Sequence, residues 1–243
     1  MLDIIPYIVY FLGPFLLAFF LGKRLLKARY SAFAIGLLAF LVPWVCILLI
    51  MIQVSAATSG SVTEGTVLYS LVLSASAGLF EESSRFFAFR IFRRLRRDWN
   101  TGIMYAIGHS GMESIIVGGS LILTFLVITY APEKLSPELL SQVAVLESGF
   151  LQGLYSSFER LIVGLLIHAC FTCVVLLSLT RSQKRYLLLA MLWHFGHDMV
   201  GFNLHRLSDH WVAGKLWIVF ILVVYSWILL KLRKSLSMKT VDN

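Results

Sequence analysis

The sequence predicts an all-α polytopic membrane protein of about seven transmembrane helices, with the N-terminus outside and the C-terminus in the cytoplasm. Three observations predict it. Of 243 residues, 58% are hydrophobic and 14% charged, and mean hydropathy is +0.83. Soluble domains hold roughly 45–50% apolar and about 25% charged residues. The apolar residues gather in segments of about 20, the length that crosses a hydrocarbon core. Basic residues collect after every second segment. The same numbers exclude a soluble globular enzyme, a disordered chain, a coiled coil and a disulfide scaffold. The length suits one membrane domain over 1–243.

The first apolar segment, 2–22, lacks a basic leader and a small-residue cleavage site, so it reads as a span. The others lie at 31–53, 66–89, 102–130, 150–180, 186–204 and 211–230. After 2–22 come Lys23, Arg24, Lys27 and Arg29. After 66–89 come Arg90, Arg93, Arg94, Arg96 and Arg97. After 150–180 come Arg181, Lys184 and Arg185, and after 211–230 come Lys231, Arg233, Lys234 and Lys239. These turns hold 16 of the 21 Lys and Arg. The opposite connections hold Lys134, Arg206 and Lys215. The positive-inside rule then sets the orientation. The net charge of +8 is a topology signal with some contact to anionic lipid, and no nucleic-acid partner is expected. Residues 54–65 read as a polar loop. Ser136-Pro137-Glu138 reads as the start of a short interfacial helix or of a lengthened fifth span. His205, Asp209 and His210 read as a solvated turn, and 235–243 as a frayed end. Tyr130, Trp193 and Trp211 read as interface anchors or packing.

Eleven ionisable residues fall inside spans: Glu81, Glu82, Arg85, His109, Glu113, Glu159, Arg160, His168, His194, His197 and Asp198. Each costs roughly 2.5–3.5 kcal/mol at the membrane centre, so they must face a shared polar interior. Helical spacing aligns them. Glu81 and Glu82 share a face with Arg85, His109 with Glu113, and His194 with Asp198. His168 has Thr172 one turn on. Carboxylates beside imidazoles bind and deprotonate water, or hold a divalent metal such as zinc. Histidine and acid side chains also make an oxyanion site. Each pair has a structural reading too: Glu82–Arg85 as an ion pair, Glu159 and Arg160 as interhelical partners, His197 as a neighbour rather than a ligand. Cys170-x-x-Cys173 reads as small packing residues or as a redox or metal pair. Turns 90–101 and 181–185 put Glu81, His109 and His194 at matching depths, roughly 12–14 Å from the cytoplasmic helix ends, with His168 slightly deeper.

Glu81-Glu82-Ser83-Ser84-Arg85 resembles the E-E-x-x-(x)-R motif of the CAAX protease and bacteriocin-processing superfamily. Tyr105-x-x-x-His109 is similar to its F-x-x-x-H, and His194-x-x-x-Asp198 to its H-x-x-x-N/D. Gly108-His109-x-Gly111-x-Glu113 resembles the second motif of the YhfC family of intramembrane metalloproteases within it. The chain also resembles the seven-span scaffold subunit of γ-secretase. The likeness covers roughly 65–205. It implies a catalytic core in spans 3–6, about 66–204. It implies Glu81 as general base, Glu82 as its support and Arg85 as the residue orienting both. His109 would share the water or bind metal, and His168 and His194 would bind metal or steady the oxyanion, with Glu113 and Asp198 beside them. The expected reaction is hydrolysis of a membrane-embedded or lipid-anchored protein or peptide in the bacterial cytoplasmic membrane.

Other readings stay open. Gly108-His109-Ser110-Gly111 matches the G-x-S-G of rhomboid serine proteases, with His194 as partner. His197 stands where the rhomboid motif needs glycine, and Glu81, Glu82 and Arg85 would have no task. A non-catalytic scaffold follows from the γ-secretase likeness. A proton-coupled transporter also uses acids and histidines, but no inverted repeat is present.

Overall fold

The computed structural model describes residues 4–63, 66–92, 95–131, 150–206 and 210–237. Every described element is helical. α1 is Ile5–Leu21, continued by a π turn Gly22–Leu26; α2 is Tyr30–Ala57, α3 Val67–Ile91, α4 Trp99–Tyr130, α5 Phe150–Thr180 and α6 Arg185–Asn203. A last run joins α7 (His210–Phe220), a π turn (Ile221–Tyr225) and α8 (Ser226–Ser237). These seven runs coincide with the seven expected spans. The chain continues helical at 235–237, where fraying was expected, because Leu236 is buried in the core. The expected interfacial helix at 136–149, the turn side chains of His205, Asp209 and His210, and residues 238–243 lie outside the described residues.

Among the described residues, five runs are long and apolar enough to cross a membrane: Ile5–Leu26, Tyr30–Ala57, Trp99–Tyr130, Phe150–Thr180 and Trp211–Leu236. α3 and α6 have 25 and 19 residues, enough for about 37 and 28 Å. Their apolar character is broken by the ionisable residues that face inward. Large apolar side chains coat the outside, among them Phe19, Leu38, Leu123 and Trp227. A patch of that extent needs lipid against it. The chain is an integral membrane protein.

Local chemistry sets the helix starts. The Thr66 hydroxyl accepts from the Tyr69 N–H at 3.1 Å, and the Asp98 carboxylate from the Thr101 N–H at 2.8 Å. Both satisfy donors that a helix start leaves open. α5 runs through the middle of the bundle, buried from His168 to Ser178, and packs on α1, α3, α4, α6 and α8. α4 packs on α1 and α2. A Cβ on Gly36 would lie 2.2 Å from the Tyr105 carbonyl oxygen, and one on Gly108 2.0 Å from the Phe33 carbonyl oxygen. Glycine therefore lets α2 and α4 touch backbone to backbone, which fixes the depth of His109. Cys170 and Cys173 are free buried thiols, and Cys170 donates to the Tyr225 carbonyl at 3.3 Å. They pack.

Candidate active site

α3, α4, α5 and α6 deliver eight of the ionisable residues to one network. Arg85 is its centre and is fully buried. Its guanidinium donates to Glu82 Oε1, to Glu81 Oε2 at 3.0 Å, and to His168 Nδ1 at 2.6 Å. Arginine only donates, so His168 Nδ1 accepts and His168 Nε2 carries the hydrogen. That N–H donates to Glu113 Oε2 at 2.8 Å. His109 Nε2 meets Glu81 Oε2 at 3.1 Å. His194 places Nδ1 2.7 Å from Glu82 Oε1 and Nε2 3.5 Å from Asp198 Oδ2. The sequence-predicted residues Glu81, Glu82, Arg85, His109, Glu113, His168, His194 and Asp198 thus form one chain of contacts. The matched depths expected of Glu81, His109 and His194 are met by the 3.1 Å and 2.7 Å contacts.

Aromatic rings hold the imidazoles. Phe40 meets His109 edge-on at 5.0 Å, and Phe171 stacks on His194 at 4.6 Å. Sequence reasoning missed both, and the whole contribution of α2, because an inward phenylalanine reads like any lipid-facing one. Glu159 pairs with Lys215 at 2.8 Å, away from the site, as its expected structural role requires. Arg160 lines a separate small cavity with Tyr10 and Ser157.

The network floors a cavity of about 500 Å³. Glu81, Glu113, His168, His194 and Asp198 face it below. Its walls are apolar, including Phe40, Trp44, Met51, Leu73 and Phe202. The wall residues Met51, Tyr69 and Phe202 lie near the end of α2, the start of α3 and the end of α6. The cavity therefore reaches toward the end of the bundle that holds the α2–α3 turn.

Glu81, His109 and His168, all buried, offer ligand atoms within 4.8 Å of one another. One carboxylate and two imidazoles are a donor set of catalytic zinc sites. Two ligands on a tetrahedral ion stand about 3.3 Å apart, close to the Glu81–His109 distance of 3.1 Å. Four carboxylates share this network with one arginine, and a dication would offset two of the three surplus negative charges. Both His168 nitrogens are engaged, so ligation requires Arg85 or Glu113 to move aside. The donor set fits a divalent metal. His194 is not in this trio; it bridges Glu82 and Asp198. Its contacts also leave the serine-protease reading without support, since neither is to Ser110.

Among known proteins, the uncharacterized membrane protein YhfC of Bacillus subtilis (strain 168) is 28% identical over 114 residues. The match covers 45% of this chain and 43% of that protein, so it spans less than half of either. No solved structure matches the chain. A family model described as YhfC intramembrane metalloprotease matches residues 8–224, a range that holds every residue of the network. The chain belongs to the YhfC intramembrane metalloprotease family.

Proposed function

We propose that the protein is an endopeptidase of the bacterial cytoplasmic membrane that hydrolyses a membrane-embedded or lipid-anchored protein or peptide. The observation that carries this is the Glu81–His109–His168 trio at the floor of an apolar-walled cavity. The Glu81-Glu82-x-x-Arg85 likeness to CAAX-type proteases supports the same reading.

The apolar walls receive the substrate's apolar side chains, and its scissile carbonyl reaches the polar floor. Glu81, His109 and His168 would hold a divalent ion, which polarises a carbonyl and makes water more acidic when bound. With Glu81 a ligand, the proton acceptor is Glu113, whose side chain is 41% exposed and bonded to His168. Water's oxygen bonds to the carbonyl carbon as its proton passes to the Glu113 carboxylate. The C–N bond then breaks and Glu113 returns that proton to the leaving nitrogen. The products are a carboxylic acid and an amine, which become a carboxylate and an ammonium group once the acid's proton passes to the amine. Arg85 keeps Glu81 and Glu82 in place throughout.

The test is metal content of the purified protein beside cleavage of a fluorophore–quencher peptide built on an apolar segment of about 20 residues. Glu81→Gln is expected to lose both metal and cleavage. Glu113→Gln should keep metal and lose cleavage. Ser110→Ala should keep both, and the wild type should take no fluorophosphonate label at Ser110. Full cleavage by Glu81→Gln would overturn the reading, and labelled Ser110 would hand it to serine chemistry.

A further inference from the structure

His197 is unused by the trio, yet it lines the same cavity. It lies three residues after His194, on the same face of α6. Trp217, Tyr225 and Phe171 surround its ring, with centroids at 5.3, 5.5 and 6.2 Å. An imidazole walled on three sides by aromatic rings has a fixed plane.

Its Nδ1 is 2.8 Å from the Tyr225 hydroxyl. Tyr225 ends the π turn Ile221–Tyr225, which interrupts the last helical run. π turns of this kind recur at functional sites. Ile221 and Tyr225 are both buried, and the Tyr225 carbonyl is tied to α5 through Cys170. The Trp193 ring packs on the Tyr225 ring with centroids at 4.9 Å. The hydrogen of a buried hydroxyl needs an acceptor, and among the described residues the Tyr225 hydroxyl is bonded to His197 Nδ1 and to no other acceptor. His197 Nδ1 is that acceptor. The remaining hydrogen of a neutral ring then sits on Nε2, which has no hydrogen-bond partner among the described residues.

We infer that His197 Nε2–H is the hydrogen-bond donor to the substrate's carbonyl oxygen, and that Tyr225 is the positioning residue that fixes its tautomer. The inference rests on the hydrolase reading. Water addition turns the scissile carbonyl oxygen into an oxyanion. Donors already aimed at such an oxygen in a water-poor site speed the step, and losing one costs roughly 10²–10³-fold in kcat. Arg85 is committed to Glu81 and Glu82, so this N–H is a side-chain donor on the cavity wall that would add to the polarisation a bound ion supplies. It also gives the π turn a task, which is to bring a tyrosine hydroxyl to the back of a histidine.

The experiment compares the wild type with His197→Phe, His197→Gln and Tyr225→Phe on the fluorophore–quencher peptide. It adds metal content and ¹⁵N NMR of the histidine rings. His197→Phe is expected to lower kcat by roughly 10²-fold, with KM and metal content near wild-type values. His197→Gln keeps an N–H donor and should recover part of that loss. Tyr225→Phe should lower kcat less and convert a single Nε2–H spectrum of His197 into a mixture of tautomers. Wild-type kcat in a folded His197→Phe would overturn the donor role alone. An Nδ1–H ring in the wild type would leave Nε2 without a hydrogen and so overturn both the Tyr225 relay and the donor role. No peptide hydrolysis by the wild type would overturn the protease reading first, and the donor role with it.

Discussion

Arg85 makes three contacts from one planar group, to Glu81, Glu82 and His168, and no shorter or rounder cation can repeat them. Lysine carries the same charge on a single nitrogen and lacks the fork. Arg85→Lys is therefore expected to stay folded and to lose at least about 10-fold in peptide cleavage, because it cannot hold both acids and the imidazole together. Arg85→Met removes the charge and leaves buried carboxylates unpaired, a loss of roughly 3–5 kcal/mol. Thermal unfolding of the two variants beside their turnover separates the roles. Wild-type turnover in Arg85→Lys would reduce Arg85 to charge compensation. The residue types were legible in the sequence, since an ionisable group inside an apolar span is too costly to face lipid and so marks a polar interior. Their partners were not. Spacing pairs residues within one helix, such as Glu82 with Arg85, whereas the trio joins α3, α4 and α5. No local pattern states that Glu81 faces His109 while Glu82 faces His194.

At the level of elements, the site depends on how closely α2 and α4 approach. Gly36 and Gly108 sit where a side chain would strike the opposing carbonyl, and Gly108 precedes His109. Gly108→Ala is expected to push α2 from α4, to cost roughly 1–3 kcal/mol as overpacking does, and to lower activity by moving His109. Gly196 is the control. A Cβ there meets nothing within 4 Å, so Gly196→Ala should be neutral or add roughly 0.5–1 kcal/mol by helix propensity. Unfolding midpoints of the pair check both. A tolerated Gly108→Ala would mean that α4 shifts without loss. The seven helices were readable to within a few residues because length and basic turns are strong signals. The π turn at 221–225 was not, because a one-residue change of period leaves no mark on an apolar segment. The role of α2 was equally hidden, since Trp44 and Met51 are as apolar as any residue that faces lipid.

Across the whole molecule, charge and cavity point along one axis. The Arg- and Lys-rich turns hold 16 of 21 basic residues, and the positive-inside rule assigns their end of the bundle to the cytoplasm. The cavity reaches the other end, past Met51 and Tyr69, beside the α2–α3 turn. Tyr69 stands twelve residues before Glu81 on the same helix, so a reagent descends roughly 18 Å from that wall to the acids. The site should then be open to the extracytoplasmic side and closed to the cytoplasm. In intact cells with Cys46 replaced by serine, an impermeant thiol reagent should label Ser61→Cys and, more slowly, Met51→Cys inside the cavity mouth. Gln183→Cys, exposed in the α5–α6 turn, should label only after the membrane is broken. Thr172→Cys, fully buried one turn beyond His168, should resist from both sides. Labelling of Gln183→Cys in intact cells, with Ser61→Cys protected, would invert the chain. The cavity would then face the cytoplasm, and the substrate segment it takes would be the cytoplasmic one. The measurement therefore fixes two things at once, the topology and the compartment from which the peptide bond arrives.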